Sequence, residues 1–378
     1  MAFIFLLIFY LVCVFFERYV RPDRKLWTIL LMFPLFLLSA LRSPLVGNDT
    51  IIYFRSYINI KSYINNSNQG IFSPVESRFE PGYVLLMKIF GTLDLDFLVF
   101  QIFLAAFIYF SIGRIIYKYS SNIAMSVFVF ISLNMFFQTM NISRQYIAIA
   151  ILTYSINYIV NKKPLRFLLI VLMASLFHLS AVVFVIIYPL SIIKLNQYKR
   201  IQIIGIGILA VIGFDYLVRF LTTTIFSKYE SYLDSRYFEV DGKIAIYVMP
   251  LLYFFIFILG NLSKYGKNTT KIITDKDILS ARDGQVTIGK ILNAAALAIL
   301  VLSIIGIKTA IMSRFIYFFL FFYLLYIPNV LRSISNKHLK SLWSFGTVVI
   351  LSLNFLIVLL FRPYWHGIIP FSWYWEFN

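Results

Sequence analysis

Eleven apolar stretches without Asp, Glu, Lys or Arg punctuate the chain, at 1–16, 26–41, 97–113, 119–143, 145–161, 167–193, 201–214, 244–263, 291–307, 315–331 and 341–361. A helix needs about 20 mostly apolar residues to cross a bilayer, and its interfacial ends tolerate charge. Most of the runs reach that length once a flanking residue or two is added. The chain therefore reads as an all-α, polytopic integral membrane helical bundle with about 11–12 membrane segments. Only 13% of its 378 residues are charged, against about 25% in soluble domains, which excludes a soluble globular protein. With 16 Gly, 11 Pro and a lone Cys13, collagen and a disulfide scaffold are excluded too. Residues 1–16 lack the basic start and small-residue cleavage site of a secretory signal and read as the first span. No internal repeat is visible, so residues 1–378 read as a single transmembrane domain.

The net charge of +18 would point to nucleic acid in a soluble chain. Here the cations sit between apolar runs, where they mark membrane orientation, and no nucleic-acid partner is implied. Orientation turns on Leu165 to Lys194, long for one crossing and short for two, with His178 near its middle. If this segment crosses once, the loops carry 16 and 17 Lys+Arg, which is no bias. If it enters and returns as a short hairpin, one side collects 20 and the other 13, with net charges of +15 and +2 and Lys290 left inside a span. The positive-inside rule favours the hairpin. Both termini then lie outside, and the outer segments are 42–96, with short amphipathic helices, 219–243, and the aromatic tail 362–378.

Chemistry is expected in those outer segments. In the first, Arg42 is followed by a Pro44 and Gly47 turn, then by Asn48, Asp49 and Thr50 in a helix-start pattern, with Tyr53 and Tyr57 four apart on one face. Asp49 reads equally as an N-cap or as a hydroxyl-binding carboxylate. Glu80-Pro-Gly-Tyr83 opens a helix too short to span. Arg144 and Gln145 stand at the outer end of another span, and Arg314 at an equivalent helix end. With Arg42, Arg55 and Arg78 on the same side, these guanidiniums suit an anionic, phosphate-bearing substrate, which Arg grips bidentately. His178 reads either as a core hydrogen bonder or as a proton acceptor, since ionisable groups at membrane depth are costly. The three histidines lack metal-ligand spacing, so no metal is expected. Walker, dinucleotide, HExxH and GxSxG motifs are all missing from the sequence. Trp365, Trp373 and Trp375 read as an interfacial belt or, alternatively, as stacking surfaces for a sugar ring.

Taken in order, Arg42, Gly47-Asn-Asp-Thr50, Tyr53, Glu80-Pro-Gly-Tyr83, Arg144-Gln145, Ser175-Leu-Phe-His178 and Arg314 with Tyr317-Phe318 resemble the EpsG-like branch of Wzy-type bacterial polysaccharide polymerases. The resemblance implies an all-helical, metal-independent glycosyltransferase of the bacterial inner membrane, with no cofactor and an active site facing the exterior. Its implied substrates are undecaprenyl-pyrophosphate-linked oligosaccharides, donor and acceptor alike, and its implied partners are the bilayer and a polysaccharide chain-length regulator. Under that reading His178 ranks first as catalytic base, ahead of Glu80 and Asp49. Arg144 and Arg314 rank first on pyrophosphate, then Arg42 and Arg78, then Arg55, with Gln145, Tyr53, Tyr83 and Tyr317 completing the substrate-binding set. Two other classes stay open: a flippase or transporter of lipid-linked oligosaccharide, and a membrane acyltransferase acting on surface sugars.

Overall fold

The computed structural model describes residues 2–20, 22–67, 77–193, 195–214, 216, 245–262, 287–309 and 312–377. The whole of the expected outer loop 219–243 lies outside the described residues. Helices account for almost all the regular structure, and no β-strand occurs among the described residues beyond an isolated bridge between Arg42 and Trp373. The chain is an all-α bundle.

The helices are α1 (Ala2–Val20), α2 (Arg24–Ala40), α3 (Thr50–Ser67), α4 (Pro81–Thr92), α5 (Phe97–Tyr119), α6 (Ile123–Ser132), α7 (Met135–Asn141), α8 (Ser143–Leu152), α9 (Ile156–Val160), α10 (Pro164–Ser175), α11 (Ile187–Ile192), α12 (Gln197–Ile212), α13 (Ala245–Leu262), α14 (Ile288–Ile305), α15 (Met312–Leu320), α16 (Tyr323–Ser333) and α17 (Lys337–Phe361). Four of them, α1, α5, α14 and α17, are long and apolar enough to cross a membrane alone. Two bent pairs, α6 with α7 and α15 with α16, turn by 60° and 55° at short breaks. The apolar run 119–143 thus folds as two short helices separated at Leu133 and Asn134, where Asn134 adopts a left-handed φ of 59°. A count of charge-free residues is blind to such a break, because Asn carries no charge yet accepts the left-handed backbone more readily than other residues. The 165–194 segment is broken as well: α10 ends at Ser175, and a 3-10 helix begins at Leu179, one residue after His178.

The structure comprises two compact units. The first contains residues 1–158, 163–182 and 344–378. In it α2 packs along α5 through Thr28, Leu31, Met32, Leu35 and Ser39, a stripe at helical spacing. Helix α6 is buried on every side, and so is all of α8 except Arg144. The outward faces of α1 and α10 expose Phe5, Phe9, Leu165, Leu169 and Leu172, a surface that suits lipid rather than water. The second unit contains residues 159–162 and 183–343. It is organised around α14, whose Ala294 to Ala298 face is buried and which packs on α11, α12, α13, α15 and α16. Phe184 stacks on Phe319, Phe321 and Phe322 beside the bend between α15 and α16.

In the first unit a half-buried carboxylate joins three helices. Glu17 of α1 accepts hydrogen bonds from the Ile123 and Ala124 amides, at 2.9 and 2.6 Å, and from Trp27 Nε1 at 3.0 Å. The amides are the first of α6, which have no partner within their own helix and favour an anion. Glu17→Ala is expected to lower the unfolding free energy in detergent by about 1–3 kcal/mol, the cost of stranding buried donors. A thermal unfolding curve that matches the parent would contradict this account of the α1, α2 and α6 corner.

Candidate active site

A turn and two helix starts of the first unit meet at Glu80. The sequence Glu-Pro-Gly-Tyr fits a helix entry: Glu80 is the extended N-cap residue of α4 and Pro81 occupies the first helical position, where a missing N–H costs nothing. Gly82 then lies against the 176–179 turn. Its amide donates to the Leu176 carbonyl at 2.8 Å, and a Cβ would stand 2.8 Å from the same oxygen. Only glycine permits this approach. In return Glu80 Oε1 accepts from the Leu179 amide at 3.2 Å.

The Glu80 carboxylate is shared. Its Oε2 accepts from Arg144 Nη1 at the start of α8, and its Oε1 stands 3.2 Å from His178 Nδ1. The three side chains are 15–18% exposed, so their charges interact in a partly dehydrated setting. Burial alone would raise the pKa of Glu80. The contact with His178 and the Arg144 charge outweigh it and hold the carboxyl at about 2, against 4.5 ordinarily. Glu80 is therefore ionised at neutral pH and is a feeble proton acceptor. Nδ1 is the ring nitrogen of His178 nearest the carboxylate.

An aromatic wall supports Arg144. Its guanidinium carbon lies 4.4 Å from the Phe79 ring centre and 5.5 Å from that of Tyr53. Tyr53, Phe79 and Tyr83 pack edge to face with centroids 5.5–5.8 Å apart. The Tyr53 hydroxyl donates to Asp49 Oδ2 at 3.3 Å, so Asp49 faces a ring of this wall. Arg78 sits beside Phe79, 5.4 Å from its centroid.

Arg42 lies one layer further in. It is 3% exposed, donates through Nη1 to the Ser39 carbonyl and through Nη2 to the Met140 carbonyl at 3.1 Å, and has no acidic partner among the described residues. Burial lowers its pKa to about 10 despite nearby tyrosines. Gln101 Nε2 ties down the Ala40 and Arg42 carbonyls at 2.9 and 2.8 Å. Arg42, Gln101, Ser39, Thr50, Tyr53 and Thr139 line a cavity of about 10 Å³, room for about one water. Arg42 thus knits the chain behind the wall.

The tail completes the frame. Gly47 N donates to the Gly367 carbonyl at 2.7 Å, Ser43 N to the Ser372 carbonyl at 2.9 Å, Tyr374 N to the Leu41 carbonyl at 2.8 Å, and Asn48 Nδ2 to the Trp365 carbonyl at 3.0 Å. On the other side of this loop, Asn141 Oδ1 accepts from Asp49 N at 3.2 Å, and Thr50 Oγ1 donates to the Met140 carbonyl at 2.8 Å. Loop 41–49 is clamped between the tail and the end of α7, immediately before Arg144. Gly367, at φ 65°, is required here, since a Cβ would stand 2.3 Å from Asn48 Oδ1.

This whole frame, from α2 to Trp373, falls inside a match to the EpsG family that covers residues 24–373. The chain belongs to the EpsG family. Comparison with curated proteins and with solved structures found no match in either.

Of the residues expected from sequence in this EpsG-family chain, Glu80, Arg144, His178, Asp49, Tyr53, Tyr83 and Arg78 come together in the first unit. Gln145 is buried behind Arg144, and Arg55 is exposed on α3. Arg314 and Tyr317 lie on α15 of the second unit. Sequence reasoning missed Phe79, Gln101, Thr139 and the bond from Asn141 to Asp49. Gln101 carried a signal, an amide in the middle of an apolar run, where polar groups are costly unless used.

The lowered pKa of Glu80 sets the pH dependence of stability. Its contacts stabilise the folded chain fully above about pH 4.5, and that contribution disappears as pH falls toward about 2. Glu80→Gln is expected to lower stability at pH 7 by about 1–3 kcal/mol, with the difference from the parent vanishing in acid. Equal melting curves at pH 7 would contradict the ion-pair geometry.

Proposed function

We propose that this EpsG-family chain is a polysaccharide polymerase. In this reading it transfers a growing glycan from undecaprenyl pyrophosphate to a sugar hydroxyl of an undecaprenyl-pyrophosphate-linked repeat unit, on the extracytoplasmic side of the membrane. The observation that carries the proposal is the shared carboxylate: Glu80 holds a histidine and an arginine together at the mouth of short helices in an otherwise apolar bundle.

The chemistry needs a base for the acceptor hydroxyl and a cation for the departing diphosphate. His178 Nε2 takes the hydroxyl proton as that oxygen bonds to the anomeric carbon of the donor glycan. The bond from the same carbon to the pyrophosphate oxygen breaks, and undecaprenyl pyrophosphate leaves with the electron pair. Arg144 stabilises the developing charge; its planar fork suits phosphate and the aromatic wall limits its movement. Glu80 is a positioning residue: it fixes the imidazole tautomer, stabilises the imidazolium that forms, and orients the guanidinium. The proton then passes from His178 to solvent or to the released diphosphate. Tyr53 and Tyr83 give the pocket an amphipathic lining for sugar, with Asp49 on its rim.

The test is complementation of a deletion strain followed by gel analysis of its surface polysaccharide. The null strain is expected to carry single repeats without a polymer ladder, and a complete loss of repeats would instead indicate flippase activity. His178→Ala is expected to leave the null pattern with the chain at normal abundance. Removing a general base costs about 100- to 10,000-fold in rate. A full ladder from that variant would exclude His178 as the base.

A further inference from the structure

The tail 362–377 carries a second group of residues that the reaction above does not use. Every strongly exposed large apolar side chain in it is Tyr or Trp: Tyr364 is 75% exposed, Trp375 64% and Trp365 45%. The lipid-facing surface of α1 and α10 exposes Phe, Leu, Ile and Val in quantity. The tail's rings are also held. Trp375 lies parallel to Trp373, with an interplanar angle of 8° and centroids 5.1 Å apart, and Trp365 lies nearly parallel to His366 at 19° and 5.0 Å. His366 is buried, and burial lowers its pKa to about 4, which keeps its imidazole neutral at pH 7. One face of each indole is therefore covered by a partner ring.

The backbone beneath these rings is equally constrained. Hydrogen bonds from residues 43, 47, 48 and 374 fasten it to loop 41–48, and Phe377 packs edge-on against Phe54 of α3 at 5.2 Å. The strap is continuous with the candidate site. Asn48 holds the Trp365 carbonyl, the adjacent Asp49 accepts from Tyr53, and the Tyr53 ring lies against Arg144. Membrane-interface anchoring asks only for amphipathic rings at head-group depth. Paired, preorganised indoles on a clamped strap beside a glycan site offer more. They present flat apolar faces with polar edges at little entropic cost, which suits a pyranose ring with its apolar face of C–H bonds and its rim of hydroxyls.

We infer that Tyr364, Trp365 and Trp375 form a carbohydrate platform that holds saccharide rings of the glycan next to the Glu80, Arg144 and His178 site. This assignment rests on the polymerase reading and adds a subsite to it: by retaining the chain between additions, the platform sets how long the polymer grows.

Two experiments test it. In the complemented deletion strain, Tyr364→Ala alone is expected to shorten the modal chain length about threefold, in line with losing one aromatic contact, and Trp375→Ala with Trp365→Ala about ninefold, in line with losing two. Modal lengths equal to the parent's would overturn the platform, while loss of the ladder in His178→Ala would leave the polymerase reading intact. If the null strain itself keeps its ladder, the polymerase reading is what fails. Independently of folding yield in cells, the purified full chain in phosphatidylglycerol and phosphatidylethanolamine nanodiscs is titrated with oligosaccharides released by mild acid from the strain's own polysaccharide. Tryptophan fluorescence is expected to change saturably, with binding weakened about threefold in Trp375→Ala and unaltered in Trp343→Phe, a residue of the second unit. A response that is equal in parent and Trp375→Ala, or that follows lipid composition and ignores the oligosaccharide, overturns the platform.

Discussion

A single carboxylate, Glu80, is the constraint on which the rest of the site depends. In an apolar bundle an unpaired guanidinium or imidazolium is expensive, and an anion shared between them removes much of that cost. The same carboxylate also accepts from the Leu179 amide, so it fixes backbone as well as side chains. Without it, the start of α4, the turn at His178 and the start of α8 would have no common anchor.

Around this anchor the architecture converts weak local preferences into a rigid frame. Pro81 and Gly82 set the entry of α4; Gly47 and Gly367 let the tail and the 41–49 loop lie flush; Arg42 and Gln101 satisfy the carbonyls exposed where α2 ends. Each of these residues occupies a place where the helical hydrogen-bond ladder stops and its orphan groups need a partner. The candidate chemistry stands where helices end because only there does the backbone leave polar groups to organise. Broken helices inside apolar surroundings belong to the same logic, since irregular backbone at membrane depth survives only inside protein.

Much of this was legible in the sequence, and the gaps have physical causes. The apolar runs announce an all-helical membrane protein because bilayer thickness fixes helix length. Glu80, Arg144 and His178 stand out because ionisable groups in such surroundings must be used. Their mutual contact was not legible, as 64 residues separate Glu80 from Arg144 and 98 separate Glu80 from His178. Consequently Glu80 ranked second as a candidate base, whereas its two partners hold its pKa far below the range a base needs. Arg42 ranked as a candidate pyrophosphate ligand, and it lies almost fully buried on backbone carbonyls. Charge counting cannot distinguish a cation that faces solvent from one that closes a loop. The expected gathering of five arginines resolves into different roles: Arg144 paired, Arg78 beside the aromatic wall, Arg42 interior, Arg55 exposed, and Arg314 on the second unit. The break at Asn134 was hidden because it carries no charge.

The most direct test of the shared carboxylate is the protonation pattern of the imidazoles. The chain has three histidines, so nitrogen-15 histidine spectra of the labelled chain in nanodiscs can be assigned by single substitution. The proposed role of Glu80 predicts that His178 holds its proton on Nδ1 in the parent at neutral pH and loses that preference in Glu80→Ala. A His178 spectrum that shows the same mixture of tautomers as the exposed His338, and that is indifferent to Glu80→Ala, would contradict the account.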